Sequence, residues 1–85
     1  MDDLHHPLET EFPKYRQIIN SLNVTDGYFH TLVEEYNQTD DEICRIEENL
    51  HYATDQEIEE LKLRRVRLKD KLYTMLRQAP SAAAA

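Results

Sequence analysis

Hydrophobic residues recur along most of this chain at the spacing of one helix face, and the recurrence predicts three helices. Pro13 suits the first position of a helix, because the N–H that proline lacks would have no partner there. Apolar residues then follow at helical spacing as far as Leu22. Two longer periodic stretches come after it. The predicted helices cover residues 13–22, 26–50 and 55–77.

Short polar motifs mark the predicted starts of the second and third helices. Thr25 or Asp26 can cap the second helix by accepting a hydrogen bond from a backbone N–H that has no partner within the helix. At the third helix, the sequence from Thr54 to Glu57 has the form of a capping box. Pro80 disfavours a helical conformation at the residue before it and so predicts an end to the third helix.

The two long helices each carry a heptad repeat. In the second, positions a and d hold Phe29, Leu32, Tyr36, Thr39, Ile43, Ile46, Leu50 and Ala53. In the third, they hold Ile58, Leu61, Arg65, Leu68, Leu72 and Met75. Helices joined by so short a turn run antiparallel. The predicted fold class is therefore all-α: an antiparallel two-helix coiled-coil hairpin with a short N-terminal helix packing at its open end, the end away from the turn.

Two groups of residues are candidates for a role beyond general packing. Thr39 and Arg65 are polar at core positions, and such residues commonly set helix register at a cost in stability. On this basis Arg65→Leu should raise the melting temperature. The second group is apolar and clusters at the open end, where it either holds the first helix or recruits a second copy or another protein. This candidate interaction surface comprises Tyr15, Ile18, Ile19, Leu22, Phe29, Tyr36, Tyr73 and Leu76.

The chain divides into one domain with two extensions. Residues 1–12 are polar and contain Pro7, which predicts a flexible N-terminal arm. Residues 13–78 form the helical hairpin domain. Residues 79–85 are a low-complexity, alanine-rich tail, predicted to be disordered.

Charge is distributed very unevenly and gives the third helix two interpretations. Residues 1–60 hold 16 of the 17 acids, whereas residues 61–85 hold 7 of the 10 Lys and Arg, within a net charge of −7. Most of these bases would face acids across the hairpin, with pairs such as Glu47–Lys62 and Asp40–Lys69. The internal match makes nucleic acid an unlikely partner, although weak binding through Arg65 and Arg67 remains the alternative.

No pattern typical of catalysis, cofactor binding or a metal site stands out. The four histidines lack the spacing of a zinc motif, and Cys44 is expected to be an outward-facing, unreactive thiol in acidic surroundings. One glycine excludes a glycine-rich phosphate loop. The single cysteine and the absence of a long apolar run predict a cytoplasmic protein without a membrane segment. We therefore expect a non-enzymatic protein without a small-molecule substrate.

Several short segments follow one another in a specific order and spacing: His6-Pro7-Leu8, Glu11-Phe12-Pro13, Tyr15, Phe29, Glu35-Tyr36-Asn37, Asp40 to Ile43, Arg45-Ile46-Glu47, Glu60-Leu61-Lys62, Leu68-Lys69-Asp70 and Leu72-Tyr73. From about residue 6 to residue 77, this arrangement resembles the YdcH-like family of small bacterial proteins of unknown function. The resemblance implies a helical hairpin with a short N-terminal helix, and no established activity. Gly27-Tyr28 and Thr39 depart from the family pattern, which often has Ala-His and Leu there.

Together these observations predict a protein–protein interaction module or self-associating adaptor. The partner is an unknown protein or a second copy of the chain. The motivating feature is the apolar surface predicted at the open end.

Overall fold

A computed structural model of the chain describes residues 5–79, and the regular structure of these residues is helical throughout. The predicted all-α class is confirmed. Among the described helices, none combines the length and the apolarity needed to cross a membrane. The helices are α1 (Leu8–Glu11), α2 (Arg16–Thr25), α3 (Gly27–Glu47) and α4 (Asp55–Gln78), and a 3₁₀ turn over Pro13–Tyr15 precedes α2.

Local capping explains where the two long helices begin. Oδ1 of Asp26 accepts the backbone N–H groups of Tyr28 and Phe29 at 3.0 and 3.1 Å, so Asp26 and not Thr25 caps α3. At α4, the N–H of Glu57 donates to Oγ1 of Thr54 at 3.1 Å, and the N–H of Thr54 donates to Oε1 of Glu57 at 2.9 Å. The predicted capping box is confirmed.

The end of α3 differs from the sequence prediction, which carried the helix to Leu50. Asn49 adopts a left-handed conformation with φ 62°. The N–H of Asn49 donates to the carbonyl of Ile46, and the N–H of Leu50 donates to the carbonyl of Arg45. This is a Schellman motif, which ends a helix by satisfying its last carbonyls. Leu50 consequently lies outside the helix with 73% of its surface exposed, and its predicted place in the apolar seam is wrong.

The main apolar core lies at the end of the molecule away from the α3–α4 connection. It joins Leu8 of α1 and the inner face of α2 to the facing sides of α3 and α4. The buried members are Leu8, Ile18, Ile19, Phe29, Leu32, Val33, Tyr36, Leu68, Leu72 and Leu76.

The N-terminal arm differs from its prediction in residues 5–12. These residues were expected to be flexible, yet residues 8–11 are helical and Leu8 is only 2% exposed. Residues 1–4 of the arm, and residues 80–85 of the predicted disordered tail, lie outside the described part of the chain.

Helices α3 and α4 lie side by side and are linked by ion pairs. Nζ of Lys62 lies 3.4 Å from Oε2 of Glu47, as predicted, and Nη1 of Arg65 lies 2.7 Å from Oδ1 of Asp40. The antiparallel arrangement of these two helices remains a prediction. Coiled-coil packing of the seam remains a prediction. Lys69 does not pair with Asp40; its ammonium lies 2.7 Å from Glu11 of α1.

Candidate functional site

A buried carboxylate is the centre of a polar cluster within the described part of the chain. Asp40, on the inner side of α3, is only 3% exposed. Its Oδ1 accepts a hydrogen bond from Nη1 of Arg65 on α4 at 2.7 Å. Its Oδ2 accepts the backbone N–H of His6 at 2.9 Å. One carboxylate therefore joins three parts of the chain: α3, α4 and the segment before α1.

The backbone of His6 is held on its other side by Tyr36, one turn before Asp40 on α3. The Tyr36 hydroxyl donates to the His6 carbonyl at 2.6 Å. Burial, reinforced by the negative charge of Asp40, raises the pKa of Tyr36 to about 12. The phenol is therefore protonated at neutral pH and able to donate, and it serves as a neutral anchor for the N-terminal segment.

A second ion pair fastens the same segment further along. Oε1 of Glu11, in α1, accepts from Nζ of Lys69 at 2.7 Å. This hydrogen bond is the largest influence that holds the pKa of Glu11 below its ordinary value. The heptad pattern had assigned Lys69 to Asp40, because a two-helix scheme contains no acid from outside the hairpin.

The predicted interaction surface is brought together, but as part of the protein's own core. Of its eight residues, Ile18, Ile19, Phe29, Tyr36 and Leu76 are buried, and Tyr15 and Leu22 are half-buried against them. Tyr73 is 37% exposed. Its ring stacks on Phe12 with centroids 5.0 Å apart and meets Tyr15 edge-on at 6.1 Å. The side chains expected to receive a partner are thus largely covered by α1, α2 and the turn between them.

The two predicted register-setting residues have satisfied polar groups. Thr39 is buried, and its hydroxyl donates to the carbonyl of Glu35 at 2.8 Å within α3. Arg65 directs its guanidinium to Asp40, as snorkelling from a core position requires. Their influence on register remains a prediction.

Cys44 is placed differently from the sequence expectation. It is 1% exposed, so the predicted outward-facing thiol is wrong. Burial, with the negative charges of Asp40 and Glu47, raises its pKa to about 11. The thiol is protonated at neutral pH and is no nucleophile there. A third residue, His5, joins Asp40 and Cys44, because the candidate ligand atoms of the three lie within 4.8 Å of one another.

A groove near the α3–α4 connection was missed by the sequence analysis. It encloses about 450 Å³. Beside it, Tyr52 is 86% exposed. Charges of both signs surround an apolar floor. The lining residues are Glu42, Ile46, His51, Tyr52, Ala53, Glu57, Glu60, Leu61, Arg64 and Arg67.

We define the connection surface as this groove together with the neighbouring Leu50. The heptad pattern implied a closed seam here. The seam opens because the Schellman motif turns the chain away after Glu47, and Asn49 was the sequence signal for that turn. Half-buried Ile46 and Leu61 are left facing the groove.

Comparisons with known proteins agree with the resemblance seen in the sequence. Residues 29–76 match the family described as "Protein of unknown function (DUF465)". The chain is 31% identical over 67 residues to "Uncharacterized protein YdcH" of Escherichia coli (strain K12), covering 79% of this chain and 90% of that protein. The protein of the same title from Shigella flexneri matches to the same extent. No solved structure matches. The chain therefore belongs to the YdcH-like DUF465 family of proteins of unknown function.

Proposed function

We propose that this protein is a non-enzymatic interaction module of the cytoplasm, built on an antiparallel α3–α4 hairpin, whose binding site is the connection surface. The observation that carries the proposal is the exposure of two large apolar side chains there. Leu50 is 73% and Tyr52 is 86% exposed, next to a groove with a half-buried apolar floor. Clustered exposed apolar side chains with a polar rim are typical of protein interaction sites.

The open end supports this role less well. Its apolar residues bury one another, and the N-terminal segment is fastened over them by Asp40, Tyr36 and Lys69. A partner that used those residues would first have to displace this segment and break its hydrogen bonds. The connection surface requires no such opening.

The alternative, weak nucleic-acid binding through α4, loses several of the cations it needs. Four basic residues of α4 lie within 4.0 Å of an acid of the same chain: Lys62, Arg64, Arg65 and Lys69. Arg65, which that hypothesis uses directly, has a side chain only 18% exposed. Charge reversal of Arg67 in a salt-dependent RNA- or DNA-binding measurement tests what remains of it.

Matched tyrosine variants of the full chain test the proposal. Tyr52→Asp places a charge on the connection surface, and Tyr28→Asp places the same charge on another exposed tyrosine, 60% exposed near the start of α3. Sedimentation equilibrium measures self-association, and affinity capture from the source lysate measures partner binding. We expect Tyr52→Asp to abolish the association and Tyr28→Asp to leave it intact.

Two results would contradict this proposal. One is a strictly monomeric protein whose captured partners are the same for both variants. The other is loss of binding on Tyr73→Asp but not on Tyr52→Asp, because it would assign the site to the open end.

A further inference from the structure

Three side chains with metal-binding atoms converge where the N-terminal segment crosses α3. Asp40 and Cys44 are four residues apart in α3, so they lie one above the other on a single face. His5 reaches the same place from the chain before α1. One ring nitrogen of His5, a carboxylate oxygen of Asp40 and the sulfur of Cys44 all lie within 4.8 Å of one another.

The position of His5 follows from the contacts around it. The next residue, His6, is held by both backbone groups: its N–H donates to Asp40, and its carbonyl accepts from Tyr36. The imidazole itself lies with Nε2 3.3 Å from Oδ1 of Asp41. Carboxylates commonly orient the histidines that bind metals through such a contact. The placement of His5 therefore depends on the fold and is not a consequence of sequence proximity.

The donor set is one nitrogen, one sulfur and one carboxylate oxygen. Zn²⁺ accepts all three types, with bonds of roughly 2.0–2.3 Å in a tetrahedral arrangement. Such bonds place neighbouring ligand atoms roughly 3.3–3.8 Å apart, so a separation as long as 4.8 Å would have to shorten on binding. His5 is exposed and belongs to a short segment ahead of α1, which makes it the ligand best able to move.

We propose that His5, Asp40 and Cys44 form a site for a divalent cation of the zinc class, with the fourth position open to water. Binding there would tie the segment before α1 to the middle of α3. The site is separate from the connection surface, and neither proposal depends on the other.

The charges around the sulfur favour a cation, although Arg65 opposes one. The thiol is affected by Asp40, Glu47 and Glu48 on the negative side and by Arg65 on the positive side. Burial is the main cause that raises the pKa of Cys44 to about 11, and the neighbouring carboxylates add to it. These three carboxylates outnumber the one guanidinium, so together they attract a divalent cation placed beside the sulfur. A carboxylate offers about four acceptor sites, and the described residues use two of those of Asp40, so lone pairs are left for a cation.

Binding requires the loss of the thiol proton to solvent as the Cys44–metal bond forms, with no change of oxidation state. Affinity should therefore increase with pH.

Cobalt titration of the untagged full chain tests the site. Co²⁺ substitutes for Zn²⁺ at sites with nitrogen and sulfur donors, and a thiolate ligand adds a charge-transfer band in the near ultraviolet. We expect a saturable band with one-to-one stoichiometry that zinc removes. Cys44→Ser should abolish the band. His5→Ala should weaken cobalt binding at least about tenfold, because even the loss of an outer-shell partner costs 10–100-fold.

His6→Ala is the matched control. It removes the neighbouring imidazole but retains the backbone groups that contact Asp40 and Tyr36. Its cobalt affinity should equal that of the original protein, and circular dichroism checks that each variant is folded. The proposal is overturned if no band forms at millimolar cobalt. It is also overturned if the His5→Ala variant binds cobalt as tightly as the His6→Ala variant. His5 is exposed, so replacing it disturbs no buried side chain and the comparison reports on the imidazole alone.

Discussion

Replacing Arg65 with leucine gives the sharpest test of the internal packing. The heptad pattern alone predicted that Arg65→Leu would raise the melting temperature, since leucine is the usual residue at a core position. The structure reverses that expectation. The guanidinium lies 2.7 Å from the buried carboxylate of Asp40, so leucine would leave Asp40 with only one hydrogen-bond donor among the described residues, the backbone N–H of His6.

The size of the effect follows from burial of the pair. Removing one partner of a buried ion pair costs about 3–5 kcal/mol, because the other charge stays buried without compensation. Arg65 has a side chain 18% exposed, so some solvent reaches the site and reduces the cost. The leucine side chain would also bury apolar surface, which offsets about 1 kcal/mol more of this cost. We expect a net loss of about 2–3 kcal/mol in the free energy of unfolding, or roughly 10–20 °C in Tm for a domain of this length.

Urea unfolding followed by circular dichroism at neutral pH measures this loss. Arg64→Leu is the matched control: its guanidinium lies 3.9 Å from Glu35, and both side chains are substantially exposed. An exposed pair at that distance contributes about 0–1 kcal/mol. Arg64→Leu should therefore change stability far less than Arg65→Leu.

The double variant Asp40→Leu/Arg65→Leu separates loss of a charge partner from loss of packing. Once both charges are gone, an apolar pair of similar size is often as stable as the buried ion pair. The double variant should recover at least half of the stability that Arg65→Leu loses. An Arg65→Leu protein as stable as the original, or a double variant whose loss equals the sum of both single losses, would refute this reasoning.

Three further predictions concern other parts of the molecule. The hydrogen bond from Lys69 lowers the pKa of Glu11 in the folded protein, so its contribution to stability is complete above the unfolded pKa and is lost as pH falls through the folded value. Urea midpoints between pH 7 and pH 3 should fall less for Glu11→Gln than for the original protein, and parallel curves would contradict the prediction. Cys44 should react with a disulfide reagent much more slowly in the native protein than in urea, and rapid native labelling would show that the thiol is accessible. Gly27→Ala should stabilise by about 0.4–1 kcal/mol in urea unfolding, because an added Cβ meets nothing within 4 Å, and a destabilised variant would reveal an unrecognised constraint.

Local features were readable from the chain because their causes lie within a few residues. The capping box at Thr54 was predicted from neighbouring residues alone, and the all-α class followed from the 3.6-residue periodicity. Asn49 carried an equally local signal for the end of α3, since asparagine tolerates the left-handed conformation of a C-cap. The heptad continuing to Leu50 concealed that signal.

Contacts between distant residues could not be read in the same way. A two-helix scheme gives α3 a single buried seam, which placed Cys44 outside. The tertiary structure lays the segment before α1 along α3, where the backbone of His6 meets Asp40 and Tyr36, and Cys44 is buried. That docking joins residues at least 30 positions apart, and no periodic pattern specifies such a pairing.

The amino-acid pattern was thus sufficient for the all-α class, for the N-terminal caps of the two long helices and for the family, because each depends on short-range order or on similarity along the chain. The pairing of Lys69, the covering of the apolar open end and the meeting of His5 with Cys44 depended on the docking of the N-terminal segment. Ion pairs between flexible side chains contribute little individually, so charge pattern alone cannot select among competing partners. Burial of Leu8 and the two backbone hydrogen bonds of His6 hold the N-terminal segment against α3 and α4. Glu11 therefore lies beside Lys69 and pairs with it, and Asp40 pairs with Arg65.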